Sequence, residues 1–362
     1  MHKITVEFPS LWINEQEGGD RNYKFFYHFL IELCNLGIPI NLLRHEFGDE
    51  AVQRNIEPGE FVFAYHHHND AHINNVWTIK ESPIFDLYSI DNFGYSRWSS
   101  LVCNDYSKEI ASMDVEKCLS IIKHYAQKLN EGNSKYKQAD TTFSIDKPYI
   151  ALFLQCANDA SSDNPWFTTD ELVLNMCELC ASNNIQLVIK PHPKDTSCLI
   201  PALMNYVRNK YGAVITDASI ITIARHARAV VALNSGASFE AFLCSDVPVY
   251  NIAPSEWSPV VNMTHDLSDI LDFRRNDTQY TVQYCGFLLS KFWVNVNDRK
   301  AIADKIKYAL ASYKDINDVD FQRVLQTKVR SIHGTVGQIE RVLHSFNQEL
   351  GTLEKLLDSK KA

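Results

Sequence analysis

Three apolar runs, each emptying into polar residues with chemistry to offer, constrain this chain more than any other feature. Tyr149–Leu154 (YIALFL) runs into Gln155-Cys156-Ala157-Asn158-Asp159, and Ile185–Ile189 (IQLVI) into Lys190-Pro191-His192-Pro193. Ala229–Leu233 (AVVAL) runs into Asn234-Ser235-Gly236-Ala237-Ser238-Phe239-Glu240. Short apolar runs separated by helical patterns predict parallel strands, which would put all three polar ends on one sheet edge. In open α/β sheets that edge is where ligands bind. A carboxylate, an imidazole, a lysine and two serines converging there suggest a nucleotide-linked substrate.

At 362 residues the chain is long for a single core, so two domains are expected. A net charge of −9 argues against a nucleic acid held by its backbone, yet permits a local basic pocket for a small phosphorylated ligand. The nine cysteines follow no regular spacing, and the first residues (MHKITVEFPSLWINEQ) read as a strand without the apolar stretch of a signal peptide. Reduced thiols and a cytoplasmic location are therefore expected. No apolar run approaches the roughly 20 residues that span a bilayer. Any membrane association must be peripheral, at the inner membrane or through a glycan-assembly complex.

Strand-like runs at Lys3–Phe8, Ile40–Leu43 and Phe61–Tyr65 alternate with helix patterns at Tyr23–Leu36, stopped by Gly37, and at Met113–Leu129. Polar, weakly patterned Asn130–Lys147 reads as a linker. Beyond it, helices are expected at Thr169–Ser182, Cys198–Tyr211 and Ser238–Cys244, and strands at Val214–Thr216 and Val247–Ile252. The tail is expected to be helical at Arg299–Tyr313, Phe321–Ser331 and Val336–Leu357, the last with an apolar stripe that either packs on the body or meets a membrane surface or a partner. The fold class expected is α/β, of the GT-B type: two Rossmann-like domains facing a central cleft, with C-terminal helices. The expected divisions are an acceptor-binding domain at 1–145, a donor-binding domain at 146–315 and a helical tail at 316–362. The donor and acceptor assignments are fold-level analogy.

Each candidate site has two readings. Asp159, alone, is either a turn aspartate in a polar loop or a nucleophile at the sheet edge, and Gln155 adds weight to the second. Lys190-Pro191-His192-Pro193 is a stiff turn whose Lys and His can both donate to a phosphate or a sugar carboxylate. Asn234, Ser235, Gly236, Ser238 and Glu240 form either an anion cradle at a helix N-terminus or an ordinary N-cap. The segment Asp91-Asn92-Phe93-Gly94-Tyr95-Ser96-Arg97-Trp98 suits either a carbohydrate cleft or an aromatic-packed turn. Glu17-Gly18-Gly19-Asp20 is a Gly-rich loop on the same expected edge. His66-His67-His68 with His72 fits no usual zinc spacing, and Cys177 and Cys180 read as helix core. No Asp-x-Asp pair follows any of these strand ends in a place suited to a divalent ion on a sugar nucleotide, so no metal and no cofactor are expected.

The Leu-Gln-x-x-x-Asp-Ala-Ser segment (Leu154–Ser161), the Lys-Pro-His-Pro turn and the Asn-Ser-x-x-Ser-x-Glu-Ala loop together resemble the retaining β-Kdo transferases of bacterial capsule and lipopolysaccharide synthesis. Asp91–Trp98 is similar to the Gly-Tyr-Ser-x-Trp segment of their acceptor domains. The His-Pro element is shared with CMP-sialic acid transferases, and Gln-x-x-x-Asp separates the two groups. The resemblance implies CMP-Kdo as donor, a saccharide or glycolipid acceptor and metal-independent double displacement. It implies Asp159 as nucleophile, with Gln155 orienting the sugar and His192 and Lys190 on the cytidylate phosphate. It further implies Ser235 and Ser238 on that phosphate, Glu240 on the ribose, and Asp91, Tyr95, Ser96 and Trp98 on the acceptor. Asp91 and Glu17 are the carboxylates available to deprotonate the acceptor hydroxyl. An inverting sialyltransferase and a non-catalytic scaffold in glycan assembly are the competing readings, with a glycerophosphate transferase more remote.

Overall fold

The computed structural model describes residues 1, 3–13, 20–45, 56–65, 75–136, 138, 143–156 and 166–313. Five strands open the chain: β1 (Lys3–Pro9), β2 (Ile40–His45), β3 (Glu60–Tyr65), β4 (Val76–Glu81) and β5 (Leu87–Asp91). Six more follow: β6 (Tyr149–Phe153), β7 (Gln186–Lys190), β8 (Val214–Ile215), β9 (Ala229–Ala232), β10 (Val249–Asn251) and β11 (Asn262–Met263). A last short strand, β12 (Val294–Asn295), returns to the first sheet. The first sheet runs β2-β1-β3-β4-β5-β12, with β1 to β4 parallel and β5 antiparallel to both its neighbours. The second runs β8-β7-β6-β9-β10-β11 and is parallel throughout. Counted from β6, that order is 3-2-1-4-5-6, the doubly wound arrangement whose ligand crevice opens between the first and fourth strands. The α/β class with two Rossmann-like units is the one expected.

Local chemistry explains the elements. The helix Asp20–Cys34 buries Phe25, Phe26, Phe29 and Leu33 against the first sheet, where Trp12, Phe63 and Tyr88 pack with them. It ends before Gly37, whose φ of +67° is costly for any residue with a Cβ. Thr168 and Glu171 form a reciprocal capping box on the helix Thr169–Ser182. That helix buries Cys177 and Cys180, and burial pushes their thiols up to about 11 and about 12, so they are core residues. No helix among the described residues is long and apolar enough to cross a membrane.

Two features differ from expectation. β4 and β5 were not anticipated from the sequence. Residues 294–311, expected with 146–315, instead join the first unit through β12 and the helix Arg299–Ala311, which packs on Asp20–Cys34. The units also share one core. Ile84, Leu87, Tyr125 and Leu129 from the first pack in the same cluster as Phe239, Trp257, Phe287 and Trp293. That shared core fixes the cleft between them. The tail helices expected beyond Tyr313 lie outside the described residues.

Candidate active site

The carboxyl ends of β6, β7 and β9 lie side by side, because β6 pairs with β7 on one flank and β9 on the other. Gln155, Lys190, His192, Asn234, Ser235, Gly236 and Glu240 all line one cleft there. Lys80, Pro83, Tyr95, Ser96, Lys135 and Tyr136 face them from the first unit and the connecting segment. Asp159, the expected nucleophile, lies outside the described residues, as do Glu17, His66, His67, His68 and His72. Among the described residues no group of three or more His, Cys, Asp or Glu side chains could hold a metal ion.

Lys190, the last residue of β7, is buried, and its Nζ donates to the carbonyls of Asp217 at 2.8 Å and Ala218 at 2.7 Å. Burial lowers its pKa, while Asp217 and Glu240 pull the other way. An ammonium has three donors, so one direction remains beyond the two carbonyls. His192 follows within the proline-stiffened turn and is half-buried, with the Tyr136 ring edge-on at 5.3 Å. Ser235 caps the helix Gly236–Cys244, its Oγ accepting from Ala237 N. The N-terminus of that helix opens onto the cleft, which favours an anion there. At Gly236 an added Cβ would stand 2.9 Å from the Pro83 Cβ. The close approach that glycine permits is thus to the Pro83 ring of the first unit.

Asn234 donates from Nδ2 to Pro254 O at 3.1 Å and to Ser96 Oγ at 3.4 Å, tying the two walls together. Ser96 itself has a φ of +53°, and its N–H donates to Glu256. Tyr95 packs edge-on against Trp98 and lies 5.4 Å from Lys80 Nζ.

Three expected contacts do not form as read. Ser238 is wholly buried and does not line the cleft: its Oγ donates to Ser235 O at 2.8 Å and accepts from Trp257 Nε1 at 2.9 Å. Asp91 is also buried away from the cleft. Its Oδ1 accepts from Phe93 N and Gly94 N, and its Oδ2 from Ser99 Oγ, Ser100 N and Ser100 Oγ. A carboxylate so occupied organises the Phe93–Ser100 turn and is not a base for an acceptor hydroxyl. Trp98 lies outside the lining and supports Tyr95, with the Arg97 guanidinium 4.5 Å from its ring centre.

Glu256 is the principal site residue not anticipated. It follows β10 at the same sheet edge, where Val249–Ala253 (VYNIA), a mainly apolar run interrupted by Asn251, leads into Pro254-Ser255-Glu256-Trp257. The rule applied to the other three strand ends would have found it. Its Oε2 accepts from Trp293 Nε1 at 2.7 Å and its Oε1 from Ser96 N at 3.3 Å. The connecting segment does more than link the units: Ser134 Oγ donates to Glu240 Oε2 at 2.6 Å, and Gln138 Oε1 accepts from Ile220 N.

Burial raises Glu240 and Glu256 each to about 7, opposed at Glu240 chiefly by the Ser134 bond and at Glu256 by the Trp293 bond. Near neutral pH these carboxyls are partly protonated. Beside Lys80, Lys135 and Lys190, the cleft therefore tolerates an anion despite the chain's net charge of −9.

This sets a pH dependence. The ordinary value of a glutamate is 4.5, so between 4.5 and about 7 the folded protein holds more protons on these groups than the unfolded chain. Their contribution to stability is greatest at low pH and is lost as pH rises through about 7. Thermal melts across that range are expected to descend with pH, less so in Glu240→Gln and Glu256→Gln. Identical slopes in wild type and both variants would contradict the burial of these groups.

Residues 92–252 match the family model of capsule polysaccharide biosynthesis proteins. That stretch carries the second unit's first five strands and the Tyr95–Ser96 wall. No curated protein sequence matches the chain. Among solved structures it is similar to the Thermosulfurimonas dismutans KpsC β-Kdo 2,7 transferase, at 16% identity over 86% of this chain and 99% of that one, with a TM-score of 0.46. It is also similar to the KpsC β-Kdo 2,4 transferase of that organism, at 12% identity over 86% and 98%, TM-score 0.49. A third similar structure is the Methanocaldococcus jannaschii UDP-GlcNAc 2-epimerase, at 10% identity over 86% and 100%, TM-score 0.33.

Proposed function

We propose that this chain is a glycosyltransferase of capsule polysaccharide synthesis that moves Kdo from CMP-Kdo to a saccharide acceptor with retention of configuration. The observation that carries the reading is the anion-binding wall at the crevice of the second sheet. There Lys190, His192, Ser235 and the N-terminus of Gly236–Cys244 converge with Gln155, which precedes Asp159 by four residues in the sequence. The match of residues 92–252 to the capsule family supports it.

In this reading a carboxylate oxygen of Asp159 attacks the anomeric carbon of Kdo. The bond from that carbon to the phosphate oxygen breaks, and CMP leaves with the electron pair. The acceptor oxygen then attacks the same carbon, displaces the aspartate and loses its proton, so two inversions give retention. The transition state is oxocarbenium-like, as in retaining glycoside hydrolysis, and an adjacent carboxylate stabilises it. Lys190, His192 and the helix terminus stabilise charge on the departing phosphate. Tyr95 and Ser96 form the acceptor wall, and Glu240 faces the nucleoside.

A donor screen with CMP-Kdo and CMP-sialic acid against simple glycoside acceptors tests the proposal, with NMR of the product anomer. CMP release with a β-Kdo product is expected. Transfer from CMP-sialic acid alone, or affinity for a CMP-sugar without transfer to any acceptor, would overturn it. The first outcome indicates an inverting sialyltransferase and the second a scaffold. Affinity for CMP is also expected to weaken as pH rises through about 7, as Glu240 and Glu256 lose their protons. Isothermal titration with CMP at fixed ionic strength measures it.

A further inference from the structure

His192 Nδ1 is approached from two sides. The backbone N–H of Lys194, two residues on, points at it from 3.1 Å. Cys156, just past the end of β6 on the adjacent strand, places its Sγ 3.0 Å from the same nitrogen. A backbone N–H can only donate, so Nδ1 is the acceptor and carries no proton. A neutral imidazole with a bare Nδ1 carries its proton on Nε2. Toward that nitrogen the thiol is then the donor, its S–H sharing the Nδ1 lone pair with Lys194 N–H.

The opposite arrangement, a thiolate beside an imidazolium, would turn an Nδ1–H against the Lys194 N–H, donor against donor. Pro191 and Pro193 restrain the backbone on either side of the ring. The Tyr136 ring standing at 84° to the imidazole limits its rotation. Flipping the ring would give up both Nδ1 contacts at once.

We propose that Cys156 is a positioning residue for His192: its thiol and the Lys194 N–H hold the imidazole as the neutral Nε2–H tautomer. His192 then meets an anionic ligand as a hydrogen-bond donor and not as a cation. Two donors aimed at Nδ1 leave a proton on that atom without an acceptor there. The tautomer follows from geometry alone. Its consequence for donor affinity rests on the transferase reading above.

Long-range proton–nitrogen NMR of the full chain, labelled with ¹⁵N, reads the protonation of each His192 nitrogen directly. Wild type at neutral pH is expected to show a bare Nδ1 and a protonated Nε2. Cys156→Ser keeps a donor and is expected to preserve that pattern. Cys156→Ala removes one of the two donors, so its His192 is expected to admit the Nδ1–H tautomer, which gives up the Nε2–H donor. Its Kd for CMP should rise about fivefold, the net worth of one hydrogen bond, and Cys156→Ser should restore it. A wild-type Nδ1–H, an imidazolium beside a thiolate, or identical His192 tautomer populations in wild type and Cys156→Ala would overturn the proposal. The expected tautomer in a protein with no affinity for CMP would uphold this assignment and sink the transferase reading instead.

Discussion

Asp159→Ala and Asp159→Asn are each expected to lower Kdo transfer by roughly 10³-fold or more, the scale on which loss of a covalent nucleophile is felt. Asparagine is the sharper variant, because it keeps the shape of the side chain and removes the nucleophilic charge. The groups proposed for the cytidylate, Lys190, His192 and the helix Gly236–Cys244, belong to other strand ends and are kept in both variants. Affinity for CMP should therefore survive in both variants while turnover is lost. Full activity in Asp159→Ala would mean that no glycosyl–aspartate forms there. The inverting reading would then be preferred, with its requirement for a base in the first unit. Asp91 could not be that base, since five donors already occupy its carboxylate.

The largest stability effect is expected far from the chemistry, at Gly286. This residue lies in the helix Gln279–Phe287, which packs against the helix Val115–Asn130. A Cβ added there would meet Cys118 Cβ at 2.6 Å and Cα at 3.0 Å. Backbone so close cannot give way as a long side chain would, so the two helices must part. Gly286→Ala is expected to cost about 3 kcal/mol, the upper end for overpacking. That corresponds to a fall in Tm of roughly 5–10 °C in a domain of this size. The same helix holds Tyr284, whose hydroxyl donates to Glu256 O at 2.8 Å, so separation also disturbs the acceptor side of the cleft. Differential scanning calorimetry of the variant measures the loss. An unchanged Tm would show that this helix pair is not a tight brace.

The second unit was legible because its signals are strong and local. Continuous apolar runs mark strands buried on both faces, and a capping box marks the start of Thr169–Ser182. From parallel pairing, the convergence of Gln155, Lys190, His192 and Asn234 follows without further information. The first unit was harder. Its β4 (VWTIKE) and β5 (LYSID) mix polar residues into their apolar stretches, and β12 is two residues whose place depends on a return across the cleft that no periodicity encodes.

Misread site residues share a cause. A turn aspartate that caps backbone amides and a catalytic aspartate look the same in sequence, and at Asp91 the turn prevailed. Ser238 sits three residues after Ser235 on a helix, and its hydroxyl turns back to the Ser235 carbonyl. Glu256 lay at a strand end of the kind already recognised as informative. Its significance depends on Ser96 and Trp293, which are distant in sequence and adjacent only in the fold.

The most direct test of the proposed transfer is intact-protein mass spectrometry after incubation with CMP-Kdo in the absence of acceptor. A covalent gain of one Kdo residue is expected, mapped by peptide analysis to the segment holding Asp159, lost in Asp159→Asn and discharged on adding acceptor. Turnover of CMP-Kdo with no covalent gain, or a gain that persists in Asp159→Asn, would contradict the account.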